Sequence, residues 1–422
     1  MYKFFYDESF HDRKITIKNR KLNIHDESKS DSYVGAFIGY KAQSQNCIMN
    51  DFKIFEEKHK KNFGLSDNKE LKGVTISSKN YEYGIASFNQ NAVSIYNDLF
   101  DILVKRSILL QIIIESKTEY LLEQFLNQWI EINLSLFVSL DLSIPTFKYI
   151  LIKYLFHHQF PDIIMELVNK NGEVNSIIVK NKLIEILEYS LTVTSSYERT
   201  IDQNKAIRNI LEIIKKMQIK EEYIKCDYGW DYTLIFKGFN KYLVAEHIDR
   251  SEVTLTLDRE KNTFNSAKTQ SYHDVIEVDS TDNLCVRISD MISNFYGRMI
   301  HRLQLALKEP DVQTKESLKE NEYQNKRHIS TKWFELNEKQ FNLYKLLSEL
   351  LMKSIKNYWS FHGGVFFDSS MIVIGLILYI GQSYTTFEEY QLVSTNDHSI
   401  KCTNKILGGL ESQWLKLRTS LF

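Results

Sequence analysis

Asp7 and Glu8 are the first residues of this chain whose types could do chemistry. They close the apolar run Tyr2-Lys3-Phe4-Phe5-Tyr6 and are followed by Ser9. A carboxylate at the end of a chain's first strand stands where a folded sheet can hold a divalent cation. Three later acids could join it: Glu70 in Glu70-Leu71-Lys72-Gly73, Asp258 after Val253-Thr254-Leu255-Thr256-Leu257, and Asp290 among Ile288, Met291 and Ile292. Hard ions such as Mg²⁺ or Mn²⁺ take oxygen ligands, so Asp and Glu are the right residue types. Two such ions ~3.5–4 Å apart can stabilise both the attacking and the leaving oxygen of phosphodiester hydrolysis. Carboxylates packed together without metal repel one another, so a buried cluster implies a cation or raised pKa values. The candidate metal ligands are therefore Asp7, Glu8, Glu70, Asp258 and Asp290, with Lys72 as a contact to phosphate. Glu8 points away from Asp7 if one strand runs through both.

Each candidate also has an ordinary reading. Asp7 and Asp258 fit turns at strand ends, and Glu70 and Lys72 fit a solvated loop. An Asp near the apolar face of a helix, as Asp290 would be, usually has a partner. Asp279 and Asp282 fit a helix cap better than metal ligation, with Ser280 or Asp282 as the cap itself.

The elements that must position these side chains read as follows. The stretch 2–6 is a strand, and a hairpin with 13–18 is the simplest pairing. Tyr33 to Tyr40, apolar almost throughout, reads as a strand covered on both faces. An amphipathic helix follows over 48–62, with Phe52, Phe55 and His59 on one side, and another over 91–106. Ile108 to Ile114 is a β-branched run expected in the middle of a sheet. From about 118 to 225 the chain reads as helix after helix, and strands return at 253–258 and 275–279. A helix from about 284 to 307 carries Asp290, a polar stretch over 308–328 reads as a linker, and 333–385 is again helical. Gly363-Gly364 reads as the end of a helix.

Strand, strand, strand, helix, strand, helical insertion, strand, helix is the order of an RNase H-like α/β fold. The expectation is a mixed sheet from 1–117 and 245–307, a large helical insertion over 118–244, and a mostly helical C-terminal extension over 329–422.

Composition limits the partners. In 422 residues, 53 basic and 54 acidic side chains leave a net charge of -1, so no global field draws the protein onto nucleic acid. A polyanion site would have to be a local patch. Cys47, Cys226, Cys285 and Cys402 are scattered without a CxxC pair, which argues against a zinc site and for reduced thiols in a cytoplasm. Met371 to Gly381 is too short for the ~20 residues that span a bilayer and reads as a buried helix. No signal peptide or membrane association is expected.

Tyr6-Asp7-Glu8-Ser9, Glu70-Leu71-Lys72-Gly73, and Val278-Asp279-Ser280 with Val286 to Ile292 together resemble the domain-of-unknown-function family numbered 3800. The resemblance covers roughly 1–117 and 245–302. It implies an RNase H-like fold, metal-dependent nuclease activity on RNA or DNA, and occurrence in bacterial mobile-element or phage-defence settings. Two departures stand out: the Gly that commonly follows Asp-Glu-Ser is Phe10, and Ser289 with Ser293-Asn294 replace small apolar residues around Asp290. They keep a second reading open, a catalytically inactive RNase H-like scaffold that binds protein partners through its helical insertion or C-terminal region.

Overall fold

The computed structural model describes the chain except for residues 11–14, 19–20, 24–29, 67, 141–142, 159–162, 164–165, 167–171, 198–199, 227–229, 309–327, 355–360 and 420–422. Almost all of the stretch read as a linker over 308–328 lies outside the described residues.

The fold is mixed α/β, built on one central sheet. Its strands are β1 (Tyr2–Ser9), β2 (Ser32–Lys41), β3 (Leu109–Ser116), β4 (Val253–Asp258) and β5 (Asp274–Val278), with a short β6 (Phe361–Gly363) at one edge. The spatial order is β6-β3-β2-β1-β4-β5. β2 is antiparallel to both β1 and β3, whereas β1, β4 and β5 run parallel, as do β3 and β6. β1 therefore lies in the interior, paired with the long apolar β2 on one edge and β4 on the other; of the expected partner 13–18, residues 13–14 lie outside the described residues. Eight register pairs from Tyr2↔Lys41 to Ser9↔Val34 join β1 to β2. That is far more pairing than the two-residue strand Ile17–Lys18 could offer, and Ile17–Lys18 pairs locally with Lys21–Leu22. The Ile108–Ile114 run became β3, one strand further out than the middle.

Alternation decides which side chain meets which layer. Phe5, Val34, Ala36, Ile38, Ile112 and Ile114 share one core with α1 (Gln45–Asn62), α2 (Gln90–Lys105) and α3 (Leu284–Lys308). The C-terminal helices Glu338–Ser354 and Asp368–Ser383 join this same core through Tyr344, Leu347, Val373 and Ile377. On the other face, Phe4, Tyr6, Phe37 and Leu255 pack against Phe236, Phe239 and Tyr242 of the helix Leu234–Ala245. The remaining helices between β3 and β4 form a separate core around Trp129, Phe147, Ile152 and Ile214. Met371 to Gly381 lies inside the buried helix Asp368–Ser383, and no helix among the described residues is long and apolar enough to cross a membrane.

The approach of α3 to β1 matters most for the site. Ser289 Oγ donates to Phe5 O at 3.1 Å, and Ser9 Oγ donates to Ser293 O at 2.8 Å. Ser289, Ser293 and Gly297 recur every four residues and so share one helix face. Their small size lets the backbones come close, and a Cβ on Gly297 would overlap Phe10 and Ser9. Phe10 itself has φ 58°, the left-handed region that costs a non-glycine residue about 1–2 kcal/mol. The tight turn after Asp-Glu-Ser is thus kept without its glycine. The Phe10 ring sits beside Gly297 and His301, with ring centroids 5.9 Å apart in the latter case.

Candidate active site

Register brings two acids to neighbouring strand ends. Tyr6 pairs with Leu257, so the next residues, Asp7 and Asp258, stand side by side where β1 and β4 stop. Both point toward α3, because Tyr6 and Leu257 belong to the core on the opposite face. This is also where the strand order reverses, with β2 and β3 on one side of β1 and β4 and β5 on the other. Open α/β sheets bind ligands outside the carboxyl ends of strands at such a switch point.

Asp290 comes down from α3 onto this position and is held firmly. Gly73 N–H donates to its Oδ2 at 2.7 Å, and Asn294 Nδ2 donates to its Oδ1 at 2.7 Å. The loop can come this near only because residue 73 is glycine; a Cβ there would overlap the Asn294 side chain. The same loop delivers Glu70 and Lys72. Lys72 Nζ lies 2.5 Å from Glu70 Oε2 and donates to Ser280 Oγ at 3.1 Å. Ser280 N–H in turn donates to Asp258 Oδ1 at 3.0 Å. Asp290, Asp258, Glu70 and Lys72 therefore form one linked set around the end of β1.

Electrostatics confirm the crowding. Burial first, then Glu8, Asp290 and Asp258, push the Asp7 carboxyl well above the usual range, against the pull of the Glu8 N–H at 2.8 Å. Burial also raises Asp290, helped by Asp258 and opposed by the Gly73 N–H, Lys72 and Arg298. Burial works to lower the Lys72 ammonium pKa, but the Glu70 pair, Asp290 and Asp258 outweigh it, so the group is held protonated. Like charges about 5 Å apart repel by about 3 kcal/mol at an effective dielectric of ~20, so such a set needs a counter-charge.

Comparison with family models, with curated proteins and with solved structures finds no match to this chain.

Of the residues singled out from the sequence, Glu70, Lys72, Asp258 and Asp290 are thus linked around one position, and Asp7 lies close enough to Asp258 and Asp290 to feel their charge. Glu8 is the exception. β1 stays extended through Ser9, so Glu8 faces away from Asp7, toward the buried hydroxyls of Tyr6 and Tyr33, whose pKa values it helps to raise. It acts on Asp7 through space but does not belong with the other ligand candidates. Sequence reasoning missed three supporting groups: Asn294, the Gly73 N–H and Ser280. Asn294 was readable, since it lies four residues after Asp290 on the same helix face. Ser280 was read as a helix cap, a role taken instead by Asn283, whose side chain accepts from Cys285 and Val286 N–H.

The residues fit a hard divalent cation in donor type, all being carboxylate oxygens. Glu70 Oε1 is buried with no hydrogen-bond partner, an acceptor aimed at nothing the protein supplies. Among the described residues, however, no three His, Cys, Asp or Glu side chains close around one point. The carboxylates are assembled but not drawn into a cage.

Proposed function

We propose that this protein is a divalent-metal-dependent phosphodiesterase that cleaves RNA or DNA on an RNase H-like sheet. The observation carrying the reading is the pair Asp7 and Asp258 at adjoining strand ends beneath Asp290, at the switch point of the sheet. The strand order supports the fold assignment: an antiparallel first trio with the first strand innermost, then two further strands parallel to it. The motif resemblance points to the same chemistry and to a bacterial phage-defence setting.

Asp7, Glu70, Asp258 and Asp290 would hold Mg²⁺ or Mn²⁺. A bound ion of this kind supplies Lewis acidity at a phosphate oxygen and lowers the pKa of its water. The chain's own groups do the rest. Gly73 N–H and Asn294 fix the Asp290 carboxylate so that both its oxygens keep one orientation. Ser280 tethers the Lys72 ammonium beside Asp258. Arg259, exposed just beyond Asp258 and paired with Asp279 at 3.3 Å, sets a cation beside the site, although the net charge of the whole chain does not attract a polyanion.

One observation favours the scaffold reading instead: the carboxylates do not close around a point. Purified protein with Mg²⁺ or Mn²⁺, incubated with end-labelled single- and double-stranded RNA and DNA beside Asp7→Asn, separates the two. The phosphodiesterase reading expects metal-dependent cleavage that Asp7→Asn abolishes. Cleavage that survives in Asp7→Asn, or none with any metal or substrate, rejects it.

A further inference from the structure

Lys72 pairs directly with a carboxylate of the site, and its placement goes beyond a phosphate contact. Its Nζ holds Glu70 Oε2 at 2.5 Å and Ser280 Oγ at 3.1 Å. Through Ser280 it is tied to the backbone N–H that caps Asp258. Asp290 and Asp258 both attract it. The consequence falls on Glu70. One of its oxygens is engaged by the ammonium, while the other is buried without a hydrogen-bond partner. A carboxylate in that position is half-satisfied, which a buried polar group tolerates poorly. The arrangement also accounts for the open cage: a tethered ammonium holds Glu70 while Asp7, Asp258 and Asp290 remain apart.

We propose that Lys72 is a tethered counter-ion that occupies the carboxylate cluster in the metal-free protein and is displaced by a divalent cation. Displacement frees Oε2 of Glu70 to join the unpartnered Oε1 on the incoming ion and turns the ammonium outward. The Lys72 side chain is already one-third exposed, so its path out to solvent is short. Metal affinity is thereby reduced by competition with the chain's own lysine. This inference rests on the metal-site reading above and adds to it an order of events: the lysine leaves before the cage closes.

Mn²⁺ titration followed by electron paramagnetic resonance, on wild type, Lys72→Met and Arg259→Met, tests it without reference to catalysis. Circular dichroism checks that each variant is folded, and Lys72→Gln serves if Lys72→Met is not. Removing the competitor should tighten Mn²⁺ binding by about tenfold or more. Arg259→Met removes an exposed neighbouring charge of the same sign that does not touch Glu70, and should change affinity far less. In wild type, saturating Mn²⁺ should increase labelling of Lys72 by an amine-reactive reagent, read by mass spectrometry. Equal Mn²⁺ affinity in wild type and Lys72→Met overturns the displacement while leaving the metal site standing. Equal tightening by Arg259→Met also overturns it, since a general field would then suffice. Absence of Mn²⁺ binding in both wild type and the Lys72 variant overturns the inference and the metal site together.

Discussion

Two acidic clusters lie at the carboxyl edge of the same sheet, and they are resolved in opposite ways. One is the set at the ends of β1 and β4. The other begins at the end of β3, where Glu115, Glu119 and Glu123 crowd one another. In the second cluster the backbone saturates the key carboxylate. Glu119 Oε1 accepts from Val365 N–H at 2.5 Å and Oε2 from Phe366 N–H at 3.0 Å. Lys148 holds Glu123 at 2.8 Å. Gly364 leaves room for the Glu119 carboxylate, which a Cβ would overlap. Glu119 thus acts as a rivet between the helix after β3 and the segment that follows β6. At β1 and β4, by contrast, Glu70 keeps a buried oxygen without a partner. Crowded acids become structure when N–H groups fill every oxygen, and become a candidate for chemistry when an oxygen is left over.

That contrast can be broken from either side. The largest effect belongs to Asp290→Asn. It should lower any nuclease activity by more than the ~10–100-fold that a changed supporting residue costs a metal site. Thermal stability should change by less than a core truncation costs, because the repulsion that is removed offsets the one N–H donor, Gly73 or Asn294, that then faces an amide NH2. A fall in melting temperature as large as that of a core truncation would make Asp290 structural and erase the distinction. Next comes Gly73→Ala, which pushes the loop off Asn294 and takes away the N–H donated to Asp290. Mn²⁺ affinity should drop by about 10–100-fold, measured by titration; unchanged affinity would show that this donor does not position the site. Glu119→Ala should leave Mn²⁺ affinity untouched and cost about 2 kcal/mol in a denaturant titration, since buried N–H donors lose their acceptor.

The smallest effect is a pH slope. Burial first, then Glu123, raise the Glu119 pKa from 4.5 to about 7, against the two N–H groups and Lys148. A carboxyl with a raised native pKa binds its proton more tightly folded than unfolded. Its stabilising contribution is therefore complete below pH 4.5 and is lost as pH rises through about 7. Wild type should lose more stability than Glu119→Gln across that window. Parallel curves would place the burden on Glu115, Asp7 and Asp290, whose shifts have the same sign.

The elements that build the site were legible because each carries an unambiguous period or run. The apolar run at 33–40 is long enough to demand two covered faces, and α3 repeats its apolar positions over seven turns. Asp7, Asp258 and Asp290 could be named because each sits at the end of such a pattern or on it. What could not be read was pairing across distance. Nothing local tells β1 to pair with residues 32–41 rather than with the nearer 13–18. The β6 strand hid behind Gly363-Gly364, which read as a helix end. Its three residues pair with Ile112, Ile113 and Ile114, and no local sequence pattern records that partnership. Glu119 passed unnoticed for the same reason, since its partners lie 246 and 247 residues away.

The hydrogen bond from Ser9 to Ser293 joins residues 284 positions apart. Such closure is entropically late, because contacts of high sequence separation form slowly in folding. During synthesis, the opening strand must wait for nearly three hundred residues to leave the ribosome before α3 can cover it. Any chain that stops earlier, by premature termination or by cleavage ahead of α3, lacks Asp290 and the roof over Asp7. The carboxylate cluster is therefore a product of the chain as far as α3, and no shorter N-terminal fragment can assemble it.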